Sequence, residues 1–385
     1  MKKNFKYWGF FVYTILMLLV SIYCFKKAEY NWDMLPYMAI ILQYDGNNDI
    51  EKIHSEVYTT AKQSIPETVF SKLTDPTSAY RNSVFANAVA FNQQLPFYVV
   101  KPLYTWLCYF FYKCGVSLPK TTVLPSVISF FLISLLVYSW LGRYLPQAAV
   151  FIFSILLMLS PFMLAAAKLS TPDLFSALLL VAGIYSYIEM KNYGLAALLF
   201  LLSIYARLDN VIPVALLSLV IFYIEKSNGS IQPWKYISFS VAAIASFLLV
   251  SWQAHWFGWS IFYYTDFATH LNPYYDMQKA FSFSGYFSLV KSQLVTGLYY
   301  SSLMIFVFLG CFSIYFSKMN GEKYVPIETI FSIAFLATIV IRFIMQPIIA
   351  DRFYIAYYLV ISIFVLKKIA LTRAGTNQYT LIKAQ

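Results

Sequence analysis

Charged side chains set within or at the ends of apolar runs are where this sequence could do chemistry, because a charge in apolar surroundings costs several kcal/mol unless it has a partner or a task. Five places fit: Asp33, the stretch from Arg81 to Lys101, Asp173, the Arg207/Asp209 pair and Asp351/Arg352. Asp33, in Tyr30-Asn31-Trp32-Asp33-Met34-Leu35-Pro36-Tyr37, stands a few residues beyond the first apolar run. A carboxylate there could act as a general base toward a hydroxyl, or it could cap a helix over 35 to 44. Lys101 lies about five residues into the apolar run opened by Pro96; it could hold a phosphate or snorkel to a polar boundary. Asp173 follows Ser170-Thr171-Pro172, a helix-start pattern that could make it a capping residue. Arg207 and Asp209 are two apart, so on a continuous helix they face different ways and seek other partners. Asp351-Arg352 opens the last apolar run and could be an interfacial anchor pair.

The elements that would position these groups are apolar helices. Of 385 residues, 60% are hydrophobic and 12% charged, against about a quarter charged in a soluble domain, and this excludes a soluble enzyme. The expected fold is all-α, a polytopic transmembrane bundle forming one integral-membrane domain over residues 1–385. Lys2, Lys3 and Lys6 precede an apolar stretch from about 7 to 25 with no small-residue cleavage site after it, which reads as an uncleaved first span with a cytoplasmic N-terminus. A polar loop over 28–96 follows. Apolar runs then recur at about 97–114, 121–141, 147–167, 172–190, 194–206, 209–224, 237–257, 293–316, 327–346 and 353–366, giving ten or eleven crossings. Eleven would put the C-terminus outside, whereas Lys367, Lys368 and Arg373 favour inside.

The net charge of +11 is unevenly distributed. Eight acidic residues fall within 28–96 against Lys52, Lys62, Lys72 and Arg81, so that loop is net −4 and the remainder +15. Scarcity of Lys and Arg places the loop outside the membrane. Scattered basic residues form no stripe or face, so nucleic acid is not an expected partner. Leu35, Met38, Ala39 and Leu42, and then Ile50, Ile53, Val57 and Ala61, recur at helical spacing, as amphipathic helices lying on a bilayer would. A second external loop, 258–291, is dense in aromatics and carries His270. It reads either as an interfacial belt or as a surface that stacks on a ligand.

A first span, an external loop with an Asp just outside the membrane, surface helices, and Lys101-Pro102-Leu103-Tyr104 at the next span together resemble the GT-C superfamily of integral-membrane glycosyltransferases. Protein O-mannosyltransferases and lipid A aminoarabinose transferases are similar in type. Many members carry a His-Pro-Pro-Leu-Tyr-like motif where this chain has Lys101-Pro102-Leu103-Tyr104, and many pair two acidic residues where it has Asp33 alone. The resemblance implies sugar transfer from a polyprenyl-phosphate donor to an acceptor hydroxyl of a glycan, lipid or protein, on the outer face of a bacterial-type inner membrane. Asp33 would be the base. Arg81, Lys101, Arg207 and Arg352 would hold the donor phosphate, and Trp32, Tyr37, Asp173, Asp209 and His270 would contact substrate.

No phosphate-binding glycine loop or Gly-x-Ser-x-Gly turn occurs, and the histidines His54, His255 and His270 are dispersed, so no metal ligands are assigned and a divalent-metal requirement stays open. Two rival readings are a transporter or lipid flippase for envelope glycolipid precursors, whose charges would gather near mid-membrane with short loops, and a non-catalytic scaffold of an envelope assembly.

Overall fold

The structure, a computed structural model, describes residues 2–227, 229, 232–254, 282–319 and 326–373. His270 and the aromatic segment 258–281 lie outside the described residues. The described chain is helical throughout, with a single isolated bridge between Glu29 and Leu169. In chain order the helices are α1 (Lys2–Lys26), α2 (Met34–Tyr44), α3 (Ile50–Ser64), α4 (Glu67–Leu73), α5 (Ala79–Ala86), α6 (Ala88–Gln93), α7 (Pro96–Val99), α8 (Pro102–Lys113), α9 (Leu118–Leu141), α10 (Gln147–Met158) and α11 (Pro161–Lys168). They continue as α12 (Asp173–Ile188), α13 (Tyr193–Ala206), α14 (Val211–Ser227), α15 (Pro233–Gln253), α16 (Phe283–Ser292, carried on by a π turn over Gln293–Gly297 and a last turn over Leu298–Tyr300), α17 (Leu303–Met319), α18 (Ile327–Met345) and α19 (Ile355–Arg373).

Among the described residues six stretches are long and apolar enough to cross a membrane: Trp8–Lys26, Leu118–Leu141, Leu208–Ser227, Pro233–Gln253, Ile327–Met345 and Ile355–Thr372. Two bent pairs raise the number to eight. In the first pair α10 and α11 meet at 57°, where Pro161 lacks the N–H that would continue the helix. The expectation of ten or eleven crossings is therefore met only in part. α12 and α13, of 16 and 14 residues, are short for a bilayer of about 30 Å at about 1.5 Å of rise per residue. They are apolar, however, and pack along each other as a hairpin. Outward side chains such as Leu156, Leu219, Val241 and Phe308 are more than half exposed, the pattern of a bundle whose surrounding is itself apolar.

Contacts fix which helix ends lie together. The Tyr13 hydroxyl donates to the Ser134 carbonyl, and Lys120 lies over the Phe25 ring, so α1 and α9 are antiparallel. Trp140 at the end of α9 donates to Glu189 after α12 and packs on Phe364 of α19. The start of α1 and the end of α19 thus share one end of the bundle, and an odd number of passages between them is ruled out. That end carries a buried charge layer. Lys367 pairs with Glu328 at 2.6 Å and Glu189 at 3.7 Å, Arg143 lies 3.8 Å from Glu189, and Lys368 donates to the Ser313 carbonyl and Thr329. A second charged layer lies at the opposite ends of α12, α18 and α19, at Asp173, Arg342 and Arg352.

The polar loop folds as a cap with its own core, distinct from that of the bundle. Two expectations change here. α2 does not lie on a surface, since every residue from Met34 to Leu42 is buried; it packs against α3, α7, α8 and α9. α3 is amphipathic as expected, but Ile53, Val57, Tyr58 and Ala61 are buried in the cap and not turned to a bilayer. The run 97–114, expected as the second span, is broken at Lys101 into α7 and α8, and α8 has only 12 residues. It starts beside the bundle, ends with Lys113 paired to Asp45 of the loop at 2.6 Å, and its Tyr104 hydroxyl bonds the Thr122 carbonyl near the start of α9. Both ends of α8 thus stay on the cap side.

One close approach sets the α12–α13 spacing. A Cβ on Gly183 would lie 2.6 Å from the Phe200 ring. Gly183→Val is expected to destabilise the bundle by about 3 kcal/mol, as overpacking of a core does, measured as a lowered unfolding midpoint in detergent; an unchanged midpoint would show that the two helices separate without cost.

Candidate functional site

Three chain breaks deliver charge to one place. Lys101 precedes Pro102, which disfavours helix at the residue before it, and its backbone (φ −126°, ψ 55°) parts α7 from α8. Arg207 is extended (φ −153°, ψ 119°) between α13 and a short turn over Leu208–Asn210. Arg352 lies in the turn Asp351–Phe353 that precedes α19. With Asp33 at the start of α2, Asp173 at the start of α12 and Arg342 in the last turn of α18, these residues line a cavity of about 480 Å³ between bundle and cap.

The charges alternate in sequence around its wall. The Asp33 carboxylate accepts from Asn31 Nδ2 at 2.9 Å, the Tyr98 hydroxyl at 3.2 Å and Arg352 Nη1 at 3.3 Å. Arg352 Nε stands 3.6 Å from Asp173, which also pairs with Arg207. Arg207 grips Asp209 with Nε and Nη2, both at 3.0 Å, and Arg342 reaches Asp209 at 2.5 Å. Lys101 Nζ sits over the rings of Tyr98 and Tyr37, at 4.8 and 5.5 Å. Among the described residues four cations and three carboxylates line the cavity, a formal excess of one positive charge.

Phe353 organises the cationic side. The guanidinium carbons of Arg342, Arg207 and Arg352 lie 4.7, 4.8 and 5.0 Å from its ring centre, so three like charges share one aromatic quadrupole. Phe353→Leu is expected to lower stability by about 1.5 kcal/mol, at about 0.5 kcal/mol for each cation–π contact removed. A lowered unfolding midpoint in detergent checks this, and an unaltered midpoint would deny the ring that role.

Tyr37 and Thr171 also line the cavity. Their hydroxyl oxygens are buried within the wall and have no hydrogen-bond partner among the described residues, an arrangement that costs about 1–3 kcal/mol each. Burial, with the Asp33 charge nearby, pushes the Tyr37 hydroxyl well above its usual pKa, so it remains a donor.

Of the residues that stand out in the sequence, Asp33, Tyr37, Lys101, Asp173, Arg207, Asp209 and Arg352 share this cavity. Asp33 takes the cap position of α2 but makes no side-chain cap bond. Arg207 and Asp209 do pair with each other, contrary to the expectation from helix geometry, because the chain is not helical at 207. Asp351 parts from Arg352 and accepts from the Ser302 backbone N–H and the Tyr358 hydroxyl. Arg81 is elsewhere, donating to the Lys72 carbonyl within the cap. Trp32 donates to Gln94 and packs on Tyr80 beside the cavity without lining it. His270 lies outside the described residues. Arg342 and Phe353 are additions from the fold, although Arg342 is a charge inside the apolar run 327–346 and meets the same criterion as Arg207. Among the described residues no group of three or more His, Cys, Asp or Glu side chains is placed to hold a metal ion. Comparisons with family models, curated proteins and solved structures give no match to this chain.

Proposed function

We propose that the chain is a GT-C-like membrane glycosyltransferase that moves a sugar from a polyprenyl-phosphate donor to an acceptor hydroxyl. The observation that carries this reading is Asp33 sharing one cavity with Lys101, Arg207, Arg342 and Arg352. The donor phosphodiester has a single negative charge, which matches the excess of one positive charge. Asp33 takes the proton of the acceptor hydroxyl as its oxygen bonds to the anomeric carbon and the bond to the phosphate oxygen breaks. Charge then grows on the departing lipid phosphate, where preformed guanidinium groups stabilise it without reorganising. The basic N-terminus (Lys2, Lys3, Lys6) and the net charge of −4 over 28–96 are the grounds for an outward-facing cavity in a bacterial-type plasma membrane.

The flippase reading draws on the same buried charges. Their position at one end of the bundle, beneath a folded cap, favours chemistry at a head-group level over a path through mid-membrane. Purified protein in liposomes with a polyprenyl-phosphate sugar labelled in both lipid and sugar separates the two. Acceptor-dependent release of polyprenyl phosphate is expected; label that changes leaflet intact would overturn the assignment.

A further inference from the structure

A second cavity, of about 500 Å³, lies between the end of α12, the start of α13, the end of α14 and the start of α15. It is separate from the candidate site: its Tyr187 is 14 residues along α12 from Asp173, about 21 Å at the helical rise. The walls are aromatic, with Tyr187, Phe200 and Phe239, and the floor is opened by the small residues Ala196 and Ala197. Both Glu225 and Lys235 line it, and Tyr236 hydrogen-bonds Glu225. Around it Tyr193, Leu219, Tyr223 and Val241 are about half exposed or more, so the apolar wall runs on into the outer face of the bundle. A cavity of this size with one acid, one base and an apolar interior fits an amphipathic ligand with both charges in its head group.

We propose that this cavity binds a zwitterionic aminophospholipid of the phosphatidylethanolamine type. Lys235 takes the phosphate, Glu225 takes the primary ammonium through charge-assisted hydrogen bonds, and an acyl chain lies against Phe200 and Phe239. The inference rests on the bundle being a membrane protein and not on sugar transfer, so the two readings fail separately. Phosphatidylglycerol would leave Glu225 facing a neutral glycerol with no cation, and a choline head group offers that carboxylate no N–H donor.

The test uses the full chain in nanodiscs of equimolar phosphatidylethanolamine, phosphatidylglycerol and phosphatidylcholine, transferred to mild detergent, with retained lipid read by native mass spectrometry. Retention of phosphatidylethanolamine at least fivefold above either competitor is expected. Glu225→Gln is expected to remove that preference, and Ala197→Phe, which fills the floor, to abolish retention with the unfolding midpoint kept. Preferential retention of phosphatidylglycerol, equal retention of all three, or a preference that survives both substitutions would overturn the proposal.

Discussion

Asp33→Asn is expected to lower sugar transfer by about a thousandfold, within the range of about 10²–10⁴ for loss of a general base, while donor binding stays within about threefold. The change is confined to one side chain. Asn keeps its size and one carbonyl oxygen that can still accept from Arg352, Tyr98 or Asn31, the present partners of the carboxylate. The side chain is about one-quarter exposed and makes no cap bond for α2, so folding has little at stake. What is lost is the ability to take a proton. The loss should therefore fall on kcat in proteoliposomes and leave the affinity for donor lipid nearly unaltered. Turnover within tenfold of wild type would remove Asp33 from the reaction and leave the cavity as a binding site only.

The second large effect concerns stability. Arg207 is the hub between Asp173, whose side chain is 2% exposed, and Asp209. Arg207→Met would leave Asp173 with only the more distant Arg352 at 3.6 Å, and a buried charge stripped of its partner costs about 3–5 kcal/mol. A lowered unfolding midpoint and poor recovery from detergent are expected. The double variant Arg207→Met/Asp173→Leu removes both charges, and should regain most of the stability because no buried charge is then left without its partner. It should not regain donor affinity, because one charge-assisted contact to phosphate, worth about 1.5–3 kcal/mol, is still missing. Recovery of both properties together would show that Arg207 serves only the fold.

One physical criterion, charge within apolar sequence, picks out Asp33, Lys101, Asp173, Arg207, Asp209 and Arg352 from the residues alone, and the fold gathers them round one cavity although they are spread over more than 300 positions. What the criterion lacks is pairing. The Arg207–Asp209 contact depends on a break in the chain at 207, and hydrophobic periodicity continues across such a break unmarked. Periodicity likewise reports that the face of α2 bearing Leu35, Met38 and Leu42 is apolar without saying what covers it; the cap, not a bilayer, does. The run 97–114 shows the same limit, since its composition suits a span and only the contacts of Lys113 and Tyr104 keep both ends on one side. Arg81 stands out only as the lone Arg of its loop, a distinction with no energetic content, and it bonds a nearby carbonyl instead.

The two charged layers carry a further consequence. From Asp173 to Glu189 is 16 residues and from Glu328 to Arg342 is 14, so about 21–24 Å of apolar helix separates them at the helical rise. A typical hydrocarbon slab is about 30 Å. The inner bundle is thus shorter between its charged layers than its longer outer helices, and where it meets lipid, at the face of α13 bearing exposed Tyr193 and Leu198, hydrophobic mismatch would draw the leaflets inward. On the proposed lipid-donor chemistry, the climb of the donor to the level of Arg207 and Arg352 would be shortened there, and local compression of the bilayer would become part of how the cavity is reached.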